Sequence, residues 1–413
     1  MDTLTPARIA EIESGIETAY AWRRLFLSLL LSTIGGVGLW SAVVVLPAIQ
    51  TEFGIARASA SLPYTVTMVG FALGGIATGR LADRFGIIFP VIGGTIALSL
   101  GYLVAAETTS LWQFVAVQGL IIGLLGSSAT FGPLIADVSH WFTRNRGTAV
   151  GICASGSYLA GTVWPLVLQP FIDGYGWRAT YAGVGVFCLV TMLPLSLVLR
   201  RRTPVLHDAV PAVRAAASAY RISPAVLQGL LVVAGFACCV AMSMPQVHIV
   251  AYCADLGYGV ARGADMLSLM LGTGVLSRLA SGWICDRVGG VRTLLLGSFL
   301  QCLTLVFYLP WNGLTSLYVV SALFGLSQGG IVPSYAIIVR EYFAPREAGA
   351  RLGVILMATI FGMAAGGWMS GAIFDLTSSY RAAFINGILW NLVNLSIALW
   401  LLRQPRAAAA ARA

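Results

Sequence analysis

The stretch Gly79-Arg-Leu-Ala-Asp83-Arg84-Phe-Gly86 recurs 203 positions later as Gly282-Trp-Ile-Cys-Asp286-Arg287-Val-Gly289. A second pair keeps the same spacing, because Trp177-Arg178-Ala-Thr-Tyr181 is matched by Tyr380-Arg381-Ala-Ala-Phe384. One spacing shared by landmarks this far apart indicates an internal repeat. The sequence therefore predicts two similar halves that follow one another in the same orientation.

The composition is that of a membrane protein. Hydrophobic residues make up 58% of the 413 residues and charged residues only 10%, and the mean hydropathy is +0.85. A soluble protein of this length needs far more polar surface. The net charge of +9 comes from 25 arginines, with no lysine. Because these arginines lie in short loops between apolar segments, they indicate membrane topology and not a nucleic-acid partner.

Each half contains six apolar segments of about 20 residues, the length that a helix needs to cross the hydrocarbon layer. The segments are 25–47, 61–81, 87–106, 112–139, 148–171 and 179–199, then 225–249, 264–285, 291–309, 317–338, 352–374 and 382–402. We therefore predict an all-α membrane protein with twelve transmembrane helices in two pseudo-symmetric six-helix bundles. The bundles span 25–199 and 225–402, with an N-terminal segment at 1–24, a linker at 200–224 and a tail at 403–413.

The arginines also predict the orientation. With the N-terminus inside, the cytoplasmic segments carry 20 arginines and the outer loops only four, which are Arg57, Arg178, Arg262 and Arg381. Cytoplasmic loops of membrane proteins are enriched in Lys and Arg. We expect both termini, the linker and the tail in the cytoplasm, and the protein in a cell inner membrane.

The two repeated loops lie at the cytoplasmic ends of the predicted second and eighth helices. Glycine permits a tight reversal there, Asp83 can face a helix N-terminus, and Arg84 can face a carboxylate such as Asp137. The loops resemble the hallmark loop of the major facilitator superfamily, and the resemblance covers nearly the whole chain. It implies a latch that joins the two halves in one state of alternating access. The latch residues are Gly79, Asp83, Arg84, Gly86, Asp137, Gly282, Asp286, Arg287 and Gly289.

Arg278 is the one arginine that lies far from both ends of a predicted transmembrane helix, since Arg80 and Arg292 are each one residue from the end of theirs. It precedes Asp286 by eight positions, or roughly 12 Å along a helix axis. A charge at that depth costs roughly 2.5–3.5 kcal/mol and is usually functional. Position 75, its counterpart in the first half, is a glycine, so the repeat does not require arginine here. The planar guanidinium suits a carboxylate ligand; a structural arginine bonded to backbone carbonyls is the alternative.

Two segments resemble a narrower branch of the superfamily. Ser277-Arg278-Leu-x-x-Gly282 is similar to the eighth-helix segment of monocarboxylate and oxalate/formate carriers. Trp141-Phe142 and the arginines that follow resemble the fifth-helix signature of monocarboxylate transporters. The resemblance implies a small carboxylate as substrate. Position 274 is glycine where animal members carry aspartate, and the chain has no lysine, so the proton site stays open.

Six further residues are candidates by type and position. Gln118, Tyr158, Tyr335 and Asn391 are polar groups in helices that are candidates for substrate binding. His248, at the end of the predicted seventh helix, and Asp255 in the next loop are candidates for proton coupling or gating, because histidine titrates near neutral pH. The alternative for each is a packing, hydrogen-bonding or solvated residue.

The sequence therefore predicts a secondary transporter of small organic monocarboxylate anions, similar in size to lactate or pyruvate, coupled to protons and working as a monomer. An anion exchanger of the oxalate/formate type and an exporter of drugs or other amphipathic solutes are the alternatives. Three scattered histidines and no buried acid pair do not predict an enzyme. No catalytic residue, cofactor or metal is expected, and the partners are the anion, a proton and the lipid bilayer.

Overall fold

A computed structural model describes residues 17–142, 145–201, 223–343 and 345–404. All regular secondary structure in these ranges is helical, as required where the bilayer offers the backbone no hydrogen-bond partner. The helices are α1 Ala19–Val44, α2 Arg57–Phe85, α3 Ile88–Ala106, α4 Leu111–His140, α5 and α6 together as Thr148–Arg200, α7 Pro224–Asp255, α8 Val260–Val288, α9 Gly290–Phe307, α10 Leu314–Gln328 continued by Ile331–Tyr342, α11 Pro345–Thr377 and α12 Tyr380–Arg403. The predicted all-helical membrane fold is confirmed.

Serines mark the start of several helices. Ser110, Ser223 and Ser379 each accept a hydrogen bond from a backbone N–H in the first turn of α4, α7 and α12 respectively. Such caps satisfy donors that have no partner within the helix. After Ser223, Pro224 occupies the first helical position, where its missing N–H costs nothing. The chain thus switches from loop to membrane helix at polar residues that the sequence places next to the apolar runs.

The span Thr148–Arg200 contains two predicted crossings. Its 53 residues would measure about 80 Å as one straight helix, far more than the ~30 Å hydrocarbon layer. Gly176 interrupts it with φ 81° and ψ 160°, a conformation that glycine adopts without steric cost. We therefore assign 148–175 to α5 and 177–200 to α6.

The repeat is visible in the backbone. Gly86 after α2 and Gly289 after α8 have φ values of 83° and 86°, and these are the last glycines of the two repeated loops. A side chain at either position would strain the backbone. Gly79 and Gly282, at the start of the loops, lie in helices with open space around them. Only the last glycine of each loop is therefore required by the turn.

Helices α4 and α10 are both interrupted near their middle. In α4 a π-helical segment, Val117–Gly126, is followed by a short 3₁₀ turn before regular helix resumes at Gly132. In α10 the regular helix stops at Gln328 and resumes at Ile331. Gly329 lies 203 positions after Gly126, the spacing of the repeat. Paired interruptions of this kind in two halves often mark a substrate pathway.

The chain forms two compact units. Among the described residues, unit 1 contains 17–42, 69–142 and 145–201, and unit 2 contains 43–68, 223–343 and 345–404. Residues 43–68, the end of α1, its helical continuation Leu46–Phe53 and the start of α2, thus pack with the second half of the sequence. Most of the predicted linker 200–224 and nearly all of the tail 403–413 lie outside the described residues.

Glycines allow the helices of unit 2 to approach closely. A Cβ atom on Gly366 of α11 would lie 2.7 Å from the Cα of Val240 in α7. Such close contact between backbones is a common way for membrane helices to associate.

Candidate functional site

Arg278 lies well inside α8. It is ten residues before the end of that helix at Val288, or roughly 15 Å along the axis, and its side chain is partly buried. The interruption of α10 lies against this turn: a Cβ on Gly329 would be 2.8 Å from the Arg278 amide nitrogen. Ser277 donates a hydrogen bond to the Leu326 carbonyl at 2.5 Å. Position 329 has no room for a side chain, so the glycine there allows the interruption of α10 to lie directly against the Arg278 turn of α8.

The corresponding turn in unit 1 has room for a side chain. Gly75, the counterpart of Arg278, has open space where a Cβ would be. Its neighbour Gly74 instead packs against α4, since a Cβ there would be 2.6 Å from the Ser128 hydroxyl. Packing therefore does not explain why one half carries arginine and the other glycine.

The four other predicted substrate-binding residues are buried within their own units. Gln118 donates to the Tyr181 hydroxyl at 2.8 Å. The Tyr335 hydroxyl donates to the side-chain oxygen of Asn394, and the Asn391 side-chain amide donates to the Ser298 carbonyl. Gln118, Tyr335 and Asn391 have no exposed surface, and Tyr158 is 8% exposed. In this conformation they contribute to helix packing, and their contact with substrate stays a prediction.

Asp255, predicted to gate or carry protons, is bound by an arginine. Arg57, the first residue of α2, donates from Nη2 to both Asp255 carboxylate oxygens at 3.0 Å. Its Nη1 donates to the Tyr380 hydroxyl at 2.8 Å. The Arg57 side chain is 7% exposed, whereas that of Asp255 is 35% exposed. Arg57 and Asp255 meet because unit 2 brings the start of α2 to the end of α7.

His248 belongs to the same cluster. Its Nε2 lies 2.8 Å from the Gly367 carbonyl oxygen, which can only accept, so Nε2 carries the proton. Its Nδ1 lies 3.4 Å from the Tyr380 hydroxyl. When Nδ1 is unprotonated, it accepts from the Tyr380 hydroxyl, and the donors run from Arg57 to Tyr380 to His248 to Gly367. A proton on Nδ1 would make that nitrogen a donor and break this order.

Asp375 binds the backbone at the start of α2. Its two oxygens accept hydrogen bonds from the backbone N–H groups of Arg57 and Ala58, at 2.8 and 2.7 Å. A carboxylate at a helix N-terminus satisfies unpaired donors and interacts favourably with the helix dipole. Gly371, one turn earlier in α11, lies so close that a Cβ would be 2.9 Å from the Arg57 carbonyl. The start of α2 is thus fixed to the end of α11.

We refer to Arg57, His248, Asp255, Asp375 and Tyr380 as the outer cluster. The sequence predicts a functional role for His248 and Asp255 but not for the other three residues. Tyr380 is the first residue of the second repeat landmark, Asp375 lies five positions before it, and Arg57 is one of four arginines predicted outside. Charge in an outer loop is normally solvated, so the sequence carried no sign of their burial.

In unit 1, the partner of Asp137 differs from the predicted one, Arg84. Arg24 binds it through two nitrogens, at 2.7 and 2.8 Å, and both side chains are at most 2% exposed. Arg84, the partner considered for Asp137, is exposed and lies over the Phe85 ring at 5.2 Å. Arg24 reaches Asp137 because α1 and α4 pack side by side in unit 1.

The second repeated loop is also described in part. Arg287 lies over the exposed ring of Trp283, 3.4 Å from its centroid. The N–H of Gly290, at the start of α9, donates to the Glu341 carboxylate at 3.0 Å. The side chains of Asp83 and Asp286 lie outside the described part of the structure, so their role in a latch stays a prediction. Within the described residues no group of three or more His, Cys, Asp or Glu could hold a metal.

Comparison with known proteins agrees with the fold. A family profile described as "Major Facilitator Superfamily" matches residues 25–314 and 264–413. "Monocarboxylate transporter 13" of Bos taurus is 29% identical over 337 residues, covering 79% of this chain and 75% of that protein. "MFS transporter asaE" of Aspergillus flavus is 25% identical, covering 74% of this chain and 68% of that protein. A solved bacterial homologue of the human lysosomal transporter Spinster superposes with a TM-score of 0.73 at 16% identity, over 95% of this chain and all of that one.

Proposed function

This chain belongs to the major facilitator superfamily, and we propose that within it the protein moves small organic monocarboxylate anions across a membrane by alternating access. The observation that carries the proposal is Arg278, placed inside α8 beside the interruption of α10. An arginine presents two parallel N–H donors to a carboxylate. Its counterpart Gly75 lies in an open position, which supports a role in binding over a role in folding.

The similarity to proteins named monocarboxylate transporter 13 supports the same substrate class. A single cation at membrane depth matches a monoanion better than a dianion. The proposed orientation places both termini in the cytoplasm, in a cell inner membrane, as the arginine distribution favours. The repeated loops then lie on the cytoplasmic side as a latch, and the outer cluster lies on the external side.

Counterflow in proteoliposomes tests the function. Vesicles loaded with unlabelled lactate should accumulate labelled lactate or pyruvate transiently, because a carrier exchanges substrate faster than it leaks. Labelled formate and oxalate serve as the test of the exchanger alternative. Exchange of oxalate for formate without lactate counterflow would favour the oxalate/formate type. No counterflow of any of the four acids, together with extrusion of amphipathic dyes, would point to an exporter.

We propose further that one proton accompanies each anion. A lone monoanion entering a cell works against the membrane potential, at ~2.3 kcal/mol per charge per 100 mV. One proton per anion removes that penalty. Arg278 does not serve as the proton carrier, because arginine stays charged in proteins. The proton therefore travels on the substrate itself, or on His248 or Asp255 of the outer cluster.

An inward pH gradient should accordingly drive accumulation of labelled lactate, while an imposed potential at equal pH should drive little. His248→Ala and Asp255→Asn are expected to weaken the response to pH, with the exposed His140 supplying a control variant, His140→Ala. Uptake that follows the potential and ignores pH would refute proton symport and indicate anion exchange or uniport.

A further inference from the structure

A pocket of about 390 Å³ adjoins the outer cluster in unit 2. Pro47, Gln50 and Thr51, from the continuation of α1, form one side, and Ala251 of α7 forms another. The Arg57–Asp255 ion pair lies in its wall. This volume is within the range of small-molecule sites, which are largely apolar with a few well-placed polar groups. The pocket thus offers one buried cation to a small molecule.

The two members of this ion pair are held very differently. Arg57 bonds to Tyr380, lies 4.9 Å from the Phe374 ring centroid, and has its backbone N–H bound by Asp375. Its side chain is 7% exposed, and that of Asp255 is 35% exposed. Asp255 is the last residue of α7, so its side chain can swing into water with little change in the helix. Asp255 can therefore leave the ion pair, whereas Arg57 is held in place by its other contacts.

Asp255 contacts only one of the nitrogens of the Arg57 guanidinium. Both of its oxygens contact one nitrogen, Nη2. The buried Nε of Arg57 has no hydrogen-bond partner among the described residues. Guanidinium binds a carboxylate most strongly through two parallel N–H bonds. A free carboxylate is not tethered to α7, so it can adopt a two-nitrogen geometry that Asp255 does not.

Exchange of one carboxylate for another keeps the arginine neutralised throughout. Removing Asp255 alone would leave a buried charge without compensation, which is costly. A neutral solute that displaced Asp255 would leave the same uncompensated charge on Arg57. The site therefore selects for anions, and a planar carboxylate fits the planar guanidinium.

We propose that this pocket is a second carboxylate site, at which a small organic acid displaces Asp255 from Arg57. The proposal rests on the proposed function, because the acid taken is the transported class. The displaced Asp255 releases the end of α7 from the start of α2, which loosens the outer cluster while the substrate is present. The site would hold the acid before it reaches Arg278.

Protection of an introduced cysteine tests the site separately from transport. Thr51→Cys places a thiol on an exposed position of the pocket wall, and Thr109→Cys places one on an exposed position in unit 1. Both are labelled with a membrane-impermeant methanethiosulfonate added from outside, after replacement of the partly exposed Cys302 by serine. The probes are sodium lactate, uncharged lactamide, and sodium chloride at equal ionic strength.

We expect lactate to slow labelling of Thr51→Cys several-fold and to leave Thr109→Cys unchanged. The protection should persist when Arg278→Ala is added, because that residue lies elsewhere. In the Asp255→Asn variant, the lactate concentration that gives half-maximal protection should be about tenfold lower. The reason is that the neutral asparagine competes less strongly than a carboxylate for Arg57. Arg57→Gln should abolish protection; if that variant fails to insert, the Asp255→Asn shift still decides the matter.

Equal protection by lactamide or chloride, or none by lactate, would overturn the carboxylate site. Transport that requires Arg278 but proceeds without protection at Thr51→Cys would refute this site and leave the proposed function standing. Protection without counterflow of any acid would support the site and refute the function.

Discussion

Replacing Arg278 by lysine should abolish lactate counterflow while the protein still inserts and folds. Lysine keeps the positive charge but offers a single point of attachment, so it cannot form the two parallel bonds that a guanidinium makes with a carboxylate. Truncating one partner of a buried, hydrogen-bonded charge pair typically costs about 2–5 kcal/mol, or a loss of roughly 30-fold or more in binding at 1.4 kcal/mol per tenfold. Arg278→Ala should be at least as severe.

A matched control comes from the same helix. Arg262, near the start of α8, is 58% exposed in its side chain and forms a 3.6 Å surface pair with Asp265. Arg262→Lys should therefore leave counterflow within about twofold, because exposed pairs contribute little. Insertion is checked by the amount of monodisperse protein in detergent. Normal counterflow by a well-folded Arg278→Lys variant would remove the carboxylate anchor from the proposal.

Replacing Arg24 by alanine should strongly destabilise unit 1. It would leave the Asp137 carboxylate, whose side chain is 2% exposed, without its bidentate partner. Breaking a buried ion pair by removing one member typically costs about 3–5 kcal/mol, because a charge stays behind uncompensated. The Arg24 guanidinium also lies over Trp141, 4.8 Å from its ring centroid, and that contact is lost as well.

The neighbouring Arg23 provides the comparison, since it is exposed and Arg23→Ala should change stability little. Thermal unfolding of the detergent-solubilised protein gives the measurement. The double variant Arg24→Ala/Asp137→Ala should recover part of the loss, because it removes the uncompensated charge together with its partner. Equal midpoints for Arg23→Ala and Arg24→Ala would show that the buried pair does not stabilise the fold.

Residue type alone could not separate cavity residues from packing residues. Gln118, Tyr335 and Asn391 were chosen because polar groups in membrane helices are often functional. Each is instead fully buried beside polar groups of its own unit. A polar side chain in a membrane helix must find a partner in either case, so its presence in the sequence is compatible with both roles.

The partners of Asp137 and Asp255 illustrate a different limit. Arg24 is 113 positions from Asp137, and Arg57 is 198 positions from Asp255. The sequence places several arginines at each end of the helices, and spacing along the chain does not rank them. Which arginine meets which acid depends on how α1 lies beside α4, and on the packing of residues 43–68 with the second half of the chain.

The sequence by itself determined the membrane class, the positions of the helices, the internal repeat and the depth of Arg278, because hydropathy and spacing are properties of short segments read in order. Helix packing alone decided that Arg57 meets Asp255 and Tyr380, that His248 lies between Tyr380 and the Gly367 carbonyl, and that the interruption of α10 lies against the Arg278 turn. These contacts join segments distant in the chain. Their energies depend on distance, burial and direction in space, which no local pattern of residues contains.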